Sequence, residues 1–292
     1  MKSLLWFAVA AVFCWTAYAA EQSPDGVWTA ELRGGGAEIS LFRHCLSADH
    51  GRPGMHHVVE IEAPVSRFAG LSDGDAASPA ANVSFELREP AGTIAFEGRM
   101  AERTGAGHYR FTPDPGFVRE MDSLGYRGFT EDQFLIFAAR DFHPQTIRDL
   151  RAMGYEPTQE QIEEIALFGI TAGVLHEFAG LGYRHLTLQE AVNFRVGRVD
   201  AAWIRDMRDL GYGDLSASQA ANLAILGVMP ATIRELRALG YARLTAEELE
   251  QMRAMRITPD YIRTLAAKGY TNIPVGKLMQ LRALGADRIL FK

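Results

Sequence analysis

Residues 230–257 read PATIRELRALGYARLTAEELEQMRAMRI, two apolar-periodic segments joined by Leu-Gly-Tyr. Ile233, Leu236 and Leu239 recur at steps of three, which predicts one buried face of a helix. Gly240 follows it and can take the left-handed conformation that ends a helix, so that Tyr241 folds back on Leu236. Thr245 and Glu248 then have the spacing of a capping box that opens a second helix, with Leu244 and Leu249 placed as its hydrophobic staple. The stretch is a helical hairpin.

The hairpin recurs. Gly-Tyr pairs stand at Gly125-Tyr126, Gly154-Tyr155, Gly182-Tyr183, Gly211-Tyr212, Gly240-Tyr241 and Gly269-Tyr270, with successive spacings of 29, 28, 29, 29 and 29 residues. The same ladder precedes two other glycines, as Ile147, Leu150, Met153 and as Ile204, Met207, Leu210. Capping boxes are predicted at Thr130/Gln133, Thr158/Gln161, Thr187/Glu190 and Ser216/Gln219 as well as at Thr245/Glu248, and Phe129 and Phe134 form a further staple pair. Pro144, Pro230 and Pro259 fall in the first turn of the next helix, where a missing amide donor costs nothing. The sixth unit lacks a Ser or Thr cap at Ile273-Pro274-Val275 and reads as a terminal cap. A two-helix unit this short cannot bury its apolar face alone, so six in tandem predict an α-solenoid over residues 116–292.

Upstream the period changes to two. Short alternating runs at Val27–Leu32, Ala37–Phe42, His57–Ile61, Val83–Leu87, Thr93–Phe96 and His108–Phe111 predict an antiparallel β domain over residues 21–115, closed as a sandwich or barrel. Gly34-Gly35-Gly36, Ser72-Asp73-Gly74-Asp75 and Gly105-Ala106-Gly107 are read as its turns. The fold class is therefore α+β in two domains. Residues 1–20 have the layout of a secretory signal peptide: Lys2, an apolar run from Leu4 to Phe13, and Ala17-Tyr18-Ala19 before a cleavage point. The expected location is periplasmic or secreted, with no transmembrane segment in the mature chain. Cys14 would leave with the signal, and Cys45 then remains as the single thiol, so stability has to come from packing.

At 292 residues, 48% apolar and 23% charged, the chain can build two cores, and its formal charge of -6 offers no net attraction to nucleic acid. The nucleophile elbow, the zinc-protease helix and the phosphate-binding loop are missing from the sequence, so no catalytic residue and no cofactor is assigned. Two side-chain sets remain. Arg148, Arg205, Arg234 and Arg263 hold one position of the first helix in their repeats and are candidate partner-binding residues. Acids stand beside them at Asp149, Asp206 and Glu235, and the competing reading pairs each arginine with the acid of a neighbouring repeat. His50, His56 and His57, near His44, Cys45 and Asp49, are candidate metal ligands, although their spacing fits no standard site.

The unit from Thr245-Ala246-Glu247-Glu248-Leu249 through Ile257-Thr258-Pro259-Asp260-Tyr261-Ile262 to Lys268-Gly269-Tyr270 resembles the short two-helix repeats of uncharacterised exported bacterial proteins. Such repeats are also appended to beta-lactam-sensor type membrane peptidases. The resemblance spans residues 117–285. It implies no catalytic residues, and the peptidases' zinc motif and membrane helices are missing here. Ala91-Gly92-Thr93-Ile94-Ala95-Phe96-Glu97-Gly98 resembles the β domains that precede such repeats. The expected function is an exported, non-enzymatic scaffold that binds a protein or peptide partner in the cell envelope through its repeat surface. The alternative is a small-ligand or metal-binding sensor with its site in the β domain.

Overall fold

The structure, a computed structural model, describes residues 26–46, 53–72, 74 and 79–285. The expected signal peptide and His50 lie outside the described residues. The chain divides into two compact units, Met1–Pro144 and Gln145–Lys292.

The first unit carries seven strands: β1 (Gly26–Arg33), β2 (Gly36–Leu46), β3 (Pro53–Pro64), β4 (Phe68–Ala69), β5 (Ala81–Glu89), β6 (Gly92–Ala101) and β7 (Thr104–Pro113). They form one antiparallel sheet in the order β3-β2-β1-β7-β6-β5-β4. The expected sandwich or barrel is thus a single curled sheet, a half-barrel. The core that a second sheet would have supplied comes from helices instead. After β7, Asp114 accepts a hydrogen bond from the Phe117 amide at 2.8 Å and opens α1 (Pro115–Ser123) with Pro115 in the first turn. Next comes α2 (Glu131–Ala139), which packs against β3, β5, β6 and β7. Because β3 and β5 stand far apart in the strand order, one helix can touch both only if the sheet curls around it. All five residues from Phe134 to Ala138 are buried, as an enclosed helix requires. Phe129 meets Phe134 and Phe137 edge-on at 5.9 and 5.1 Å, the first being the expected staple.

Alternation along the strands follows the sequence pattern: Val83, Phe85 and Leu87 point inward while Ser84 is exposed. Phe85 stacks on Phe96 at 4.6 Å, and Trp28 meets both edge-on. The Trp28 indole donates to the Glu97 carbonyl at 3.2 Å. Gly105 and Gly107, read as turn residues, lie within β7, and the hairpin turns at Glu102-Arg103, both with positive φ. A Cβ on Gly98 or Gly105 would come within 3 Å of the Trp28 ring. These glycines make room for tryptophan rather than for a turn.

The remaining helices are α3 (Pro144–Ala152), α4 (Gln159–Phe168), α5 (Ala172–Gly180), α6 (Leu188–Val196), α7 (Ala201–Asp209), α8 (Ala217–Ile225), α9 (Pro230–Ala238), α10 (Ala246–Ala254), α11 (Pro259–Ala267) and α12 (Val275–Ala283). With α1 and α2, the described residues hold six helical pairs. All five predicted capping boxes are formed with both reciprocal bonds. Every Gly-Tyr pair closes a helix as expected: the Tyr241 amide donates to the Leu236 carbonyl at 3.0 Å and the Gly240 amide to Arg237 at 3.0 Å, with Gly240 at φ 96°. Within the second unit, α4, α6, α8, α10 and α12 pack on one another in sequence order, and α9 packs on both α7 and α11. No helix among the described residues is long and apolar enough to cross a membrane.

Candidate interaction surface on the helical repeats

Three rows of side chains recur along the repeats, each set by a fixed place on a helix. The first is the predicted arginine row. Arg148, Arg205, Arg234 and Arg263 are all exposed on first helices. Arg234 Nη2 lies 3.1 Å from Asp206 Oδ2, and Arg263 Nη2 lies 2.5 Å from Glu235 Oε2. Each acid belongs to the preceding repeat, which matches the competing pairing read from the sequence. Arg263 also grips Asp260 at 2.6 Å, and the bonds to Glu235 and then Asp260 hold its guanidinium above its ordinary pKa. Arg148 approaches Gln145 Oε1 at 3.5 Å, while Arg205 has no hydrogen bond or ion pair among the described residues. The row is therefore not a uniform file of open cations. Exposed pairs of this kind contribute at most about 1 kcal/mol each.

A second arginine row was missed. Arg195 Nε donates to the Phe168 carbonyl at 3.0 Å, Arg253 Nε to Leu226 at 2.7 Å and Arg282 Nε to Met255 at 3.0 Å, all reaching 27 residues back to the end of the previous second helix. On the first helices Arg208 Nη2 reaches the Leu181 carbonyl at 3.0 Å, and Arg237 reaches that of Leu210. A cation at the carbonyl end of a helix meets unpaired acceptors and the negative end of the dipole. The signal was present as the 29-residue interval between Arg208 and Arg237 and between Arg253 and Arg282.

The third row is apolar. Val196 closes α6 and Ile225 closes α8, again 29 residues apart, and they are 47% and 49% exposed. Their helices are neighbours. Ala254 and Ala283 hold the same exposed position on α10 and α12.

In the first unit Arg43 spans Glu131 at 2.8 Å and Asp132 at 2.6 Å, tying β2 to the first turn of α2. Arg67 bonds Glu89, whose side chain is almost wholly buried, and lies 3.4 Å from Asp141; His143 Nε2 is 3.1 Å from Asp141 Oδ1. Burial, and then a hydrogen bond shared with the Asp141 carboxyl, push the Glu89 carboxyl above its ordinary range. Sequence reading gave no hint of this cluster, because its members come from three separate segments.

Of the candidate metal ligands, His57 is exposed on β3 opposite Phe42, whose ring it meets edge-on at 5.4 Å. The backbone of His56 is opposite Arg43, and that of Cys45 opposite Gly54. His50 and the side chain of His56 lie outside the described residues; among the described residues no group of three or more His, Cys, Asp or Glu is arranged to hold a metal ion. No known family, curated protein or solved structure matches the chain.

Proposed function

We propose that the chain is an exported, non-enzymatic scaffold whose two-helix repeats, of the kind found in exported bacterial proteins, stack as an α-solenoid and bind a protein or peptide of the cell envelope on their outer surface. The observation that carries this reading is the pair Val196 and Ile225. Two β-branched side chains, each about half exposed, stand at equivalent positions of neighbouring helices, in an array whose other exposed large apolar side chains, among the described residues, are Met229, Tyr270 and Leu284. Repetition then presents the same contact point to an extended partner at two successive steps. Arg205 supplies a cation of the same repeats that no acid among the described residues engages.

Placing a photo-crosslinking residue at 196 or 225 of the full chain, expressed in a bacterial host and followed by fractionation, tests it. The expected result is a discrete adduct in the envelope fraction, lost in the Val196→Glu, Ile225→Glu double variant and weakened about tenfold by Arg205→Glu if that cation contributes about 1.4 kcal/mol. Absence of an adduct at both positions, or retention of the chain in the cytoplasm, overturns the reading.

A further inference from the structure

The tyrosines of the Gly-Tyr pairs do more than close a helix. Tyr155 donates from its hydroxyl to the Leu186 carbonyl at 2.8 Å, Tyr212 to Leu244 at 2.8 Å and Tyr241 to Ile273 at 2.7 Å. In each case the acceptor is the residue just before the second helix of the following repeat. Each phenol is a latch between repeats. Tyr183 holds the same place, and its counterpart acceptor is the Leu215 carbonyl, just before Ser216 at the start of α8. That latch is not made: among the described residues neither the Tyr183 hydroxyl nor the Leu215 carbonyl has a hydrogen-bond partner. The ring of Tyr183 packs edge-on against Phe194 at 4.9 Å instead. The residues equivalent to Phe194 beside the three closed latches are Ile165, Leu223 and Met252, which offer no such ring.

Where the latch is open there is a cavity of about 290 Å³, roughly the share of ten liquid waters. Trp203, Ile204, Met207 and Leu215 supply its apolar lining; Tyr183, Arg208, Asp214 and Ser216 supply the polar groups. Arg208 is fixed by its bond to the Leu181 carbonyl, and Ser216 by its capping box. The polar set thus holds one cation, one anion, a phenol donor and a backbone acceptor, and it favours neither charge. Burial pushes the phenol pKa up, so Tyr183 remains a donor at neutral pH.

We infer that this cavity is a binding site for a small neutral polyol of monosaccharide size, one of whose hydroxyl groups accepts from Tyr183 and donates to the Leu215 carbonyl. A hydroxyl carries both a donor and acceptor lone pairs, so one such group can satisfy both protein groups at once. A charged ligand would leave either Arg208 or Asp214 facing a like charge, and a wholly apolar one would strand the phenol and the carbonyl. None of Val196, Arg205 and Ile225 lines this cavity.

The test uses the full chain labelled with ¹³C at the methionine methyl groups, with D-glucose and N-acetylglucosamine as probes. A saturable shift of the Met207 methyl signal with either sugar, lost in Tyr183→Phe, is the expected result. No saturable shift up to about 50 mM, where a millimolar site would be full, overturns the proposal. A second measurement guards against a merely structural phenol. Tyr183→Phe is expected to leave the urea midpoint unchanged, whereas Tyr241→Phe, which loses a made bond, lowers it. Equal loss in both variants also overturns the proposal, because the Tyr183 hydroxyl would then be engaged within the protein.

Discussion

At the scale of single residues, the ends of the helices carry the sharpest physics. The first helices end on glycine with positive φ, and the second helices end in the same bond pattern: the Ile257 amide donates to the Met252 carbonyl at 2.7 Å and the Val199 amide to Phe194 at 2.8 Å. The left-handed residue is glycine at Gly169, Gly227 and Gly285 but Asp141, Arg198 and Arg256 elsewhere, with φ of 51°, 55° and 56°. A side chain costs about 1–2 kcal/mol there, partly offset by the freedom that glycine adds to the unfolded chain. Arg256→Gly is therefore expected to stabilise the protein by roughly 0.5–1 kcal/mol. Gly240→Ala is expected to destabilise it by about 1 kcal/mol although nothing lies within 4 Å of the added methyl, so the whole effect is backbone strain. Urea unfolding of both variants checks the pair, and a neutral Gly240→Ala would refute the requirement for a left-handed residue. The same contrast shows what the sequence reveals. A Gly at a cap is visible because few other residues do its work; an Arg at the same φ carries no mark. Gly105 and Gly107 misled for the converse reason, since glycine serves close packing, under Trp28 at Gly105 and against the β6 backbone at Gly107, as readily as it serves a turn.

At the scale of elements, α2 is where periodicity said least. Its capping box and staple were legible in Thr130, Gln133, Phe129 and Phe134, but its packing partner was not: as the second helix of a repeat it was expected to face other helices, and it packs against four strands. The run of five buried residues from Phe134 to Ala138 was the available signal. The Arg67–Glu89–Asp141 cluster joins the turn before β4, the end of β5 and the residue just past α2. Its pH behaviour follows from the raised pKa of Glu89. The folded state holds that proton more tightly than the unfolded chain, so across the window from the ordinary carboxylate range up to the raised value folding takes up a proton. Stability contributed at lower pH is lost as pH rises through the window, by at most about 1.4 kcal/mol per pH unit. Chemical denaturation at a series of mildly acidic pH values is expected to show this loss in the parent chain and a flatter profile in Glu89→Gln. Identical slopes would mean that Glu89 titrates alike in both states.

At the scale of the whole molecule, the two halves were legible to different degrees because their information is stored differently. A helical repeat writes its caps, ladder and latch locally and then writes them again, so the six pairs could be counted from the sequence. Sheet closure depends on what covers the inner face, and nothing in an alternating strand distinguishes a second sheet from a helix as that cover. The candidate surface was half legible: the arginine row was named, but its pairing with the acid one repeat earlier became definite only at Arg234 and Arg263, and the apolar positions Val196 and Ile225 were not singled out. In a chain of units bound chiefly to their neighbours, local stability should track how many neighbours each unit buries against. α8 buries Ala220, Ala221, Leu223 and Ala224, whereas α12 buries only Leu278 and lacks a side-chain cap at Pro274. Hydrogen exchange in the full chain is therefore expected to rank the amides of α12 fastest, those of α10 next and those of α8 slowest. Latch removal by Tyr241→Phe should speed α12 and α11 while leaving α6 and α8 unchanged, because the bond to the Ile273 carbonyl joins only the last repeats. A uniform acceleration across all of these helices would show that the helical half unfolds as one cooperative body, and the nearest-neighbour description would have to be abandoned.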